Sequence, residues 1–187
     1  PRELMDSERI QRAVRELLEA IGENPDRAEL RDTPEKVSES FQEFFKGIAS
    51  DPLEYLQETF PADSTELVML KDIELVSICE HHLLPFTGVA HVAFLPDKKI
   101  IGLGRIAKVV EVLASRPQLQ ENLGNQIADA IAEGLNPKGV LVVLEAKHQC
   151  VASRGARQPE VNTLTSSARG LMEKPEYRQE AMGLISK

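Results

Sequence analysis

Across residues 7–22 the apolar side chains Ile10, Val14, Leu17, Leu18 and Ile21 recur at three- and four-residue intervals. That spacing predicts an amphipathic helix, with Gly22 as its stop. A second helix is expected from Thr33-Pro34, read as a cap followed by proline at the first helical position, with a stripe of Val37, Phe41, Phe44, Phe45 and Ile48. Asp51-Pro52 opens one more short turn before Pro61. Residues 1–60 therefore read as an N-terminal helical arm whose aromatic stripe serves core or subunit packing.

The pattern then changes period. Residues 67–78 and 86–95 are β-branched and alternating, which predicts two strands, and 96–99 form a turn into a short apolar segment, 100–103. Helical spacing returns at Ile106, Val109, Val110 and Leu113, and again after Pro117 at Leu119, Leu123, Ile127 and Ile131, until Gly134 and Asn136-Pro137 stop it. Residues 140–151 alternate once more. Period two groups Val142, Leu144, Ala146, His148 and Cys150 on an inward face and Leu141, Val143, Glu145, Lys147 and Gln149 on an outer face that becomes charged towards its end. The polar run 162–167 reads as a solvated loop. Helices, strands, two helices and strands in that order predict an α+β fold, an antiparallel sheet with two helices packed on one face, in a main domain spanning 61–187.

Composition narrows the class without naming a function. A chain of 187 residues with 42% hydrophobic and 28% charged content buries roughly 70% of its unfolded surface, so it needs no metal merely to hold together. No apolar run approaches membrane-spanning length, and nothing at the amino terminus resembles a signal peptide. A cytoplasmic, membrane-free protein is expected. The net charge of -8 argues against a general nucleic-acid binder, yet it is unevenly spread: residues 1–90 carry 9 Lys+Arg against 20 Asp+Glu, whereas 91–187 carry 13 against 10. An anionic ligand is favoured by the second half.

The candidate chemistry sits where the first two strands meet. Cys79-Glu80-His81-His82 puts a thiol, a carboxylate and two imidazoles in one turn of backbone, with Cys79 and His82 in the Cys-x-x-His spacing of a short chelate. The second cysteine, Cys150, follows His148 by two residues. A buried thiol and imidazole need partners, and a zinc ion held by Cys79, His82 and Cys150 supplies them. Taken singly, each cysteine reads as an ordinary buried thiol and each histidine as a satisfied core residue. A disulfide is the other pairing, disfavoured by the reducing compartment that the composition suggests. His81 and His148 remain beside the ion, and either could close it as a fourth ligand, so the count of ligands alone separates neither structural from catalytic zinc. Arg154 and Arg157, just beyond Cys150, make anion binding an even alternative to a solvated loop.

Three segments, Ser77-Ile78-Cys79-Glu80-His81-His82, Arg116-Pro117-Gln118-Leu119-Gln120-Glu121 and His148-Gln149-Cys150-Val151-Ala152-Ser153-Arg154-Gly155, together resemble the zinc-dependent GTP cyclohydrolase I family, over most of the chain. The resemblance implies a tunnelling fold for 61–187, with sheets joined into a barrel across subunits, and a homodecamer of two pentamers with active sites at subunit interfaces. It implies hydrolysis of GTP at the imidazole ring of guanine, loss of formate and rearrangement to 7,8-dihydroneopterin triphosphate. Zn2+ on Cys79, His82 and Cys150 would activate water, with His81 and His148 as proton donors and acceptors. Gln120 and Glu121 would bind the substrate, Glu121 by accepting the guanine N1 and amine hydrogens, while Arg105, Lys108 and Arg154 hold the triphosphate and Arg157 is more simply a surface charge. Two positions depart from the family pattern. Gly104 stands where a serine is usual, and Lys108 where arginine is common, which keeps the charge and loses the bidentate fork. The alternatives are a non-catalytic zinc-stabilised nucleotide-binding oligomer, which has no use for two free histidines, and a related tunnelling-fold enzyme acting on another purine or pterin.

Overall fold

The computed structural model describes residues 5–185; residues 1–4 and 186–187, the outer ends of the two expected segments, lie outside the described residues. Helix α1 (Ser7–Ala20) starts where the Asp6 carboxylate accepts the Arg9 N–H at 2.9 Å, satisfying one of the orphan donors of a first turn. Helix α2 (Thr33–Phe44) packs against it. The expected cap is one residue off: Asp32 occupies the cap position, because its carbonyl already accepts from Lys36 at 3.1 Å, and Thr33 lies inside the helix. α1 buries none of its residues, and Leu17 and Ile21 remain exposed.

The next segment turns inward. A 3-10 turn at Lys46–Ala49 brings Gly47 so close to the following helix layer that a Cβ there would stand 2.0 Å from the Val112 carbonyl oxygen. Only glycine permits this approach. A second 3-10 turn, Pro52–Leu56, is capped by the Asp51 carboxylate on Leu53 N–H at 2.9 Å and drives Leu56 into the core.

The sheet follows the predicted alternation. Strand β1 (Thr59–Pro61) forms a small separate ribbon with β4 (Lys99–Ile101). The main sheet is built from β2 (Val68–Cys79), β3 (Pro85–Leu95), β6 (Gly139–His148) and β7 (Thr163–Gly170), paired antiparallel in that spatial order, with β5 (Pro117–Gln118) added in parallel beside the end of β2. Helices α3 (Leu103–Ala114) and α4 (Gln120–Leu135) cover one face, and of the residues expected inward Ile106, Val109, Val110, Leu113, Leu123, Ile127 and Ile131 are buried, whereas Leu119 caps α4 from outside the helix and is only half-buried. Asn136, in the left-handed conformation at φ 47°, ends α4. The fold is mixed α+β, and no helix among the described residues is long and apolar enough to cross a membrane.

One expectation is corrected, and one element was not anticipated. The run 162–167 is largely strand, not loop, since β7 pairs with β6 from Thr163↔Ala146 to Gly170↔Gly139. The outer face of β6 turns polar from Glu145 onward, as its alternation predicts, and Leu141 and Val143 before it are buried with Ala93, Met172 and Ala181 in a second cluster. Helix α6 (Pro175–Ile185) supplies Ala181 and so covers part of the face expected to be open.

Candidate metal centre

The hairpin between β2 and β3 is held so that its first and fourth residues converge. Cys79 N–H donates to the Leu84 carbonyl at 2.9 Å, the Cys79 carbonyl accepts from Leu83 at 2.9 Å, and Glu80 N–H donates to the Gln118 carbonyl of β5 at 3.1 Å. Leu83 takes φ 52° to close the turn. In consequence Cys79 Sγ and His82 Nδ1 lie 3.9 Å apart.

Cys150 reaches the same point by a different route from the one its alternation predicts. The β3–β6 register ends at Phe86↔His148, and the residue before Phe86 is Pro85, which has no N–H to extend the ladder. The chain coils instead into α5 (Gln149–Ala152), with Ser153 N–H on the Gln149 carbonyl at 3.0 Å. Cys150 therefore sits on a helical turn and not on the inward face of a strand. Its sulfur, Cys79 Sγ and a His82 ring nitrogen all lie within 4.8 Å of one another.

That spacing suits one ion. Tetrahedral zinc with sulfur and nitrogen ligands keeps its ligand atoms roughly 3.5–3.8 Å apart, so side-chain adjustment of about an ångström closes the set. Burial, with the Cys79 sulfur adding to it, pushes the Cys150 thiol above its ordinary value. The donor set of two thiols and one imidazole fits a thiophilic divalent metal.

Around this triad the other candidates divide. Arg154 Nη1 lies 3.4 Å from His82 Nε2, and a guanidinium can only donate. Nε2 is then the acceptor, so the ring proton sits on Nδ1, where a cation would replace it. His81 is exposed, its ring 6.2 Å from that of His82 and edge-on to it. His148 is half-buried, stacked flat on Phe86 at 4.5 Å and 13°, with Nε2 2.7 Å from Gln120 Oε1. Burial lowers its pKa, against a smaller opposing effect from Glu121. Gln120 is 1% exposed and opens α4, whereas Glu121 beside it is exposed. Arg105 pairs with Glu58, and Lys108 donates to Glu111 at 2.7 Å, a carboxylate that Lys46 also engages. Within one chain, then, Arg154 meets the triad, while Arg105 and Lys108 spend their charge on neighbouring carboxylates.

Sequence reasoning missed Phe86, Thr163 and Thr165 as parts of this neighbourhood. Phe86 carried one usable signal, its place directly after a strand-opening proline.

Fold and site together define an α+β protein with a Cys-His-Cys group that could hold a metal ion and a second, separately anchored imidazole two residues before Cys150. The family model for GTP cyclohydrolase I matches residues 10–186. GTP cyclohydrolase 1 of Carboxydothermus hydrogenoformans is 53% identical over 184 residues, covering 97% of this chain and 96% of that protein. GTP cyclohydrolase 1 of Streptomyces avermitilis is 50% identical over 182 residues, covering 96% and 90%. A crystal structure of the apo archaeosine synthase QueF-Like overlaps 58% of this chain and 97% of its own, at 20% identity and TM-score 0.47. The chain belongs to the GTP cyclohydrolase I family.

Proposed function

We propose that this chain hydrolyses GTP to 7,8-dihydroneopterin triphosphate and formate, with zinc on Cys79, His82 and Cys150. The observation that carries the reading is the convergence of those three side chains within 4.8 Å in a chain matched along almost its whole length by the GTP cyclohydrolase I family. Zinc with three protein ligands supplies an open coordination position and lowers the pKa of water there to about 7.

The rest is done by the chain's own groups. His148 and His81 move protons to and from the purine nitrogens as the imidazole ring of guanine opens. Glu121, exposed at the start of α4, accepts the guanine N1 and amine hydrogens, which adenine cannot offer. Were His82 to hold the metal through Nδ1, its ring proton would sit on Nε2, and Arg154, without that acceptor, would have its guanidinium free for the triphosphate. Arg105 and Lys108 complete the anion site from a second copy of the chain, in a tunnelling-fold oligomer of two pentamers for which residues 1–60 form the helical arm and 61–187 the catalytic domain.

Incubation of the protein with GTP, with and without a chelator, tests the proposal. Formate release and pterin fluorescence that disappear with the chelator and return with zinc are expected. Zinc retained with no formate from GTP would favour a non-catalytic, metal-stabilised module.

A further inference from the structure

The first residue of α4 makes more bonds than a substrate contact can spare. Gln120 is buried, and its Nε2 faces three acceptors: the Leu144 carbonyl of β6 at 3.1 Å, the Thr163 carbonyl of β7 at 2.9 Å and Thr165 Oγ1 at 3.1 Å. Turning the amide over would set its oxygen against two carbonyl oxygens with no proton between them. The orientation of the amide is thereby fixed by its surroundings.

With the amide fixed, Oε1 faces His148 Nε2 at 2.7 Å. An amide oxygen only accepts, so this contact is a hydrogen bond only when Nε2 carries the proton. Unprotonated, two lone pairs would oppose each other inside a buried site. The flat Phe86 ring at 4.5 Å removes the remaining freedom by restricting rotation of the imidazole out of its plane.

We infer that Gln120 is a positioning residue: its buried amide locks His148 in the Nε2–H tautomer and leaves the free lone pair on Nδ1. The inference rests on the proposed reaction only for the purpose of the lock; the lock itself is a property of the protein without substrate. It also gives β7 a purpose in the site, since Thr163 and Thr165 hold the amide that holds the imidazole. Gln120 on this account acts through His148 and not by recognising the nucleotide base with its side chain.

The test uses zinc-loaded protein carrying 15N-labelled histidine, of which the chain has only four, with signals assigned by single substitutions and read in solution or in the solid state. His148 is expected as Nε2–H with a slowly exchanging, downfield ring proton. In Gln120→Met that proton should exchange rapidly and lose its downfield position while zinc content is retained. With GTP, kcat should fall roughly 10- to 100-fold, as for other partners that orient a working histidine, and KM should hold. Thr165→Val, which removes one of the three acceptors and leaves both carbonyls, should give a smaller loss of the same kind and keeps the idea testable should Gln120→Met fail to fold. An Nδ1–H tautomer in the parent protein would overturn the inference. So would a raised KM for GTP in Gln120→Met with unchanged His148 signals, which is the signature of a direct base contact. If GTP is not turned over but the His148 signature and its loss are seen, the lock stands and the proposed reaction falls.

Discussion

The two halves of the site are built on opposite principles. The triad is assembled from short-range geometry: a five-residue hairpin loop brings Cys79 and His82 together, and one helical turn past the end of β6 delivers Cys150. The His148 cradle is assembled from long-range contacts, with Gln120 from α4, Phe86 from β3 and acceptors on β6 and β7. The triad leaves His82 exposed, whereas the cradle buries Gln120 completely. Binding an ion needs only that donors be able to reach it, since bond formation supplies the order. Aiming a proton needs the imidazole to be held beforehand.

Removing a triad ligand should therefore have the largest effect. Cys150→Ser replaces a thiolate with a hydroxyl that zinc binds poorly, and is expected to abolish metal and activity together. A full complement of zinc by elemental analysis in that variant would place the ion elsewhere. Next in size is the cradle: His148→Ala should keep its zinc and lose turnover by roughly 10²- to 10⁴-fold. If His148→Ala arrives without zinc, the histidine is a fourth ligand, and the division between the two halves disappears.

That division also explains what the sequence made legible. Cys-x-x-His spacing is local, so Cys79 and His82 were readable, and the strands and helices with strong apolar periodicity, β2, β3, α3 and α4, appeared close to their expected limits. Cys150 lies beside Cys79 and His82 but on a different element from the expected strand, because period two does not reveal that β6 loses its hydrogen-bonding neighbour at Pro85. β7 was invisible for a related reason. Its run of Thr163, Leu164, Thr165, Ser166 and Ser167 is too polar to mark a buried face, and it is a strand because β6 lends it a ladder. With β7 unread, the support of Gln120 could not be seen, and Gln120 read only as a substrate contact. α6 was likewise missed, because its few apolar residues match a patch on the sheet that becomes apolar only once Leu141 and Val143 are known to be buried.

At the rim of the triad the expected effects are smaller. Arg154 has the His82 ring as its partner, a contact that metal binding would withdraw, so its charge is available to a phosphate. Charge-assisted hydrogen bonds are worth about 1.5 to 3 kcal/mol, so Arg154→Ala should raise the Kd for GTP roughly ten- to a hundredfold with zinc unchanged. Added salt should weaken binding by the parent more than by the variant. A GTP affinity equal to the parent's would move the triphosphate away from the triad.

Lys108 should matter least, because it starts from a different position. Its ammonium is already paired with Glu111, whose carboxylate is held below its usual range by Lys108 first and Lys46 second. Reaching a phosphate means giving up that pair. An exposed ion pair of this kind is worth only about 0 to 1 kcal/mol, and Lys46 stays behind to keep Glu111 compensated, so the exchange remains favourable but smaller in net. Lys108→Ala is accordingly expected to weaken GTP by less than Arg154→Ala does. Glu111→Gln provides the opposite test, since it frees Lys108 without touching the metal or the cradle: GTP should bind as tightly as in the parent or up to about fivefold tighter, the factor that 1 kcal/mol represents. Calorimetric titration of a non-hydrolysable GTP analogue reads both variants. Weaker binding in Glu111→Gln would mean that the carboxylate orients Lys108 towards the phosphates instead of competing for it, and the ranking of the two cations would then have to be reversed.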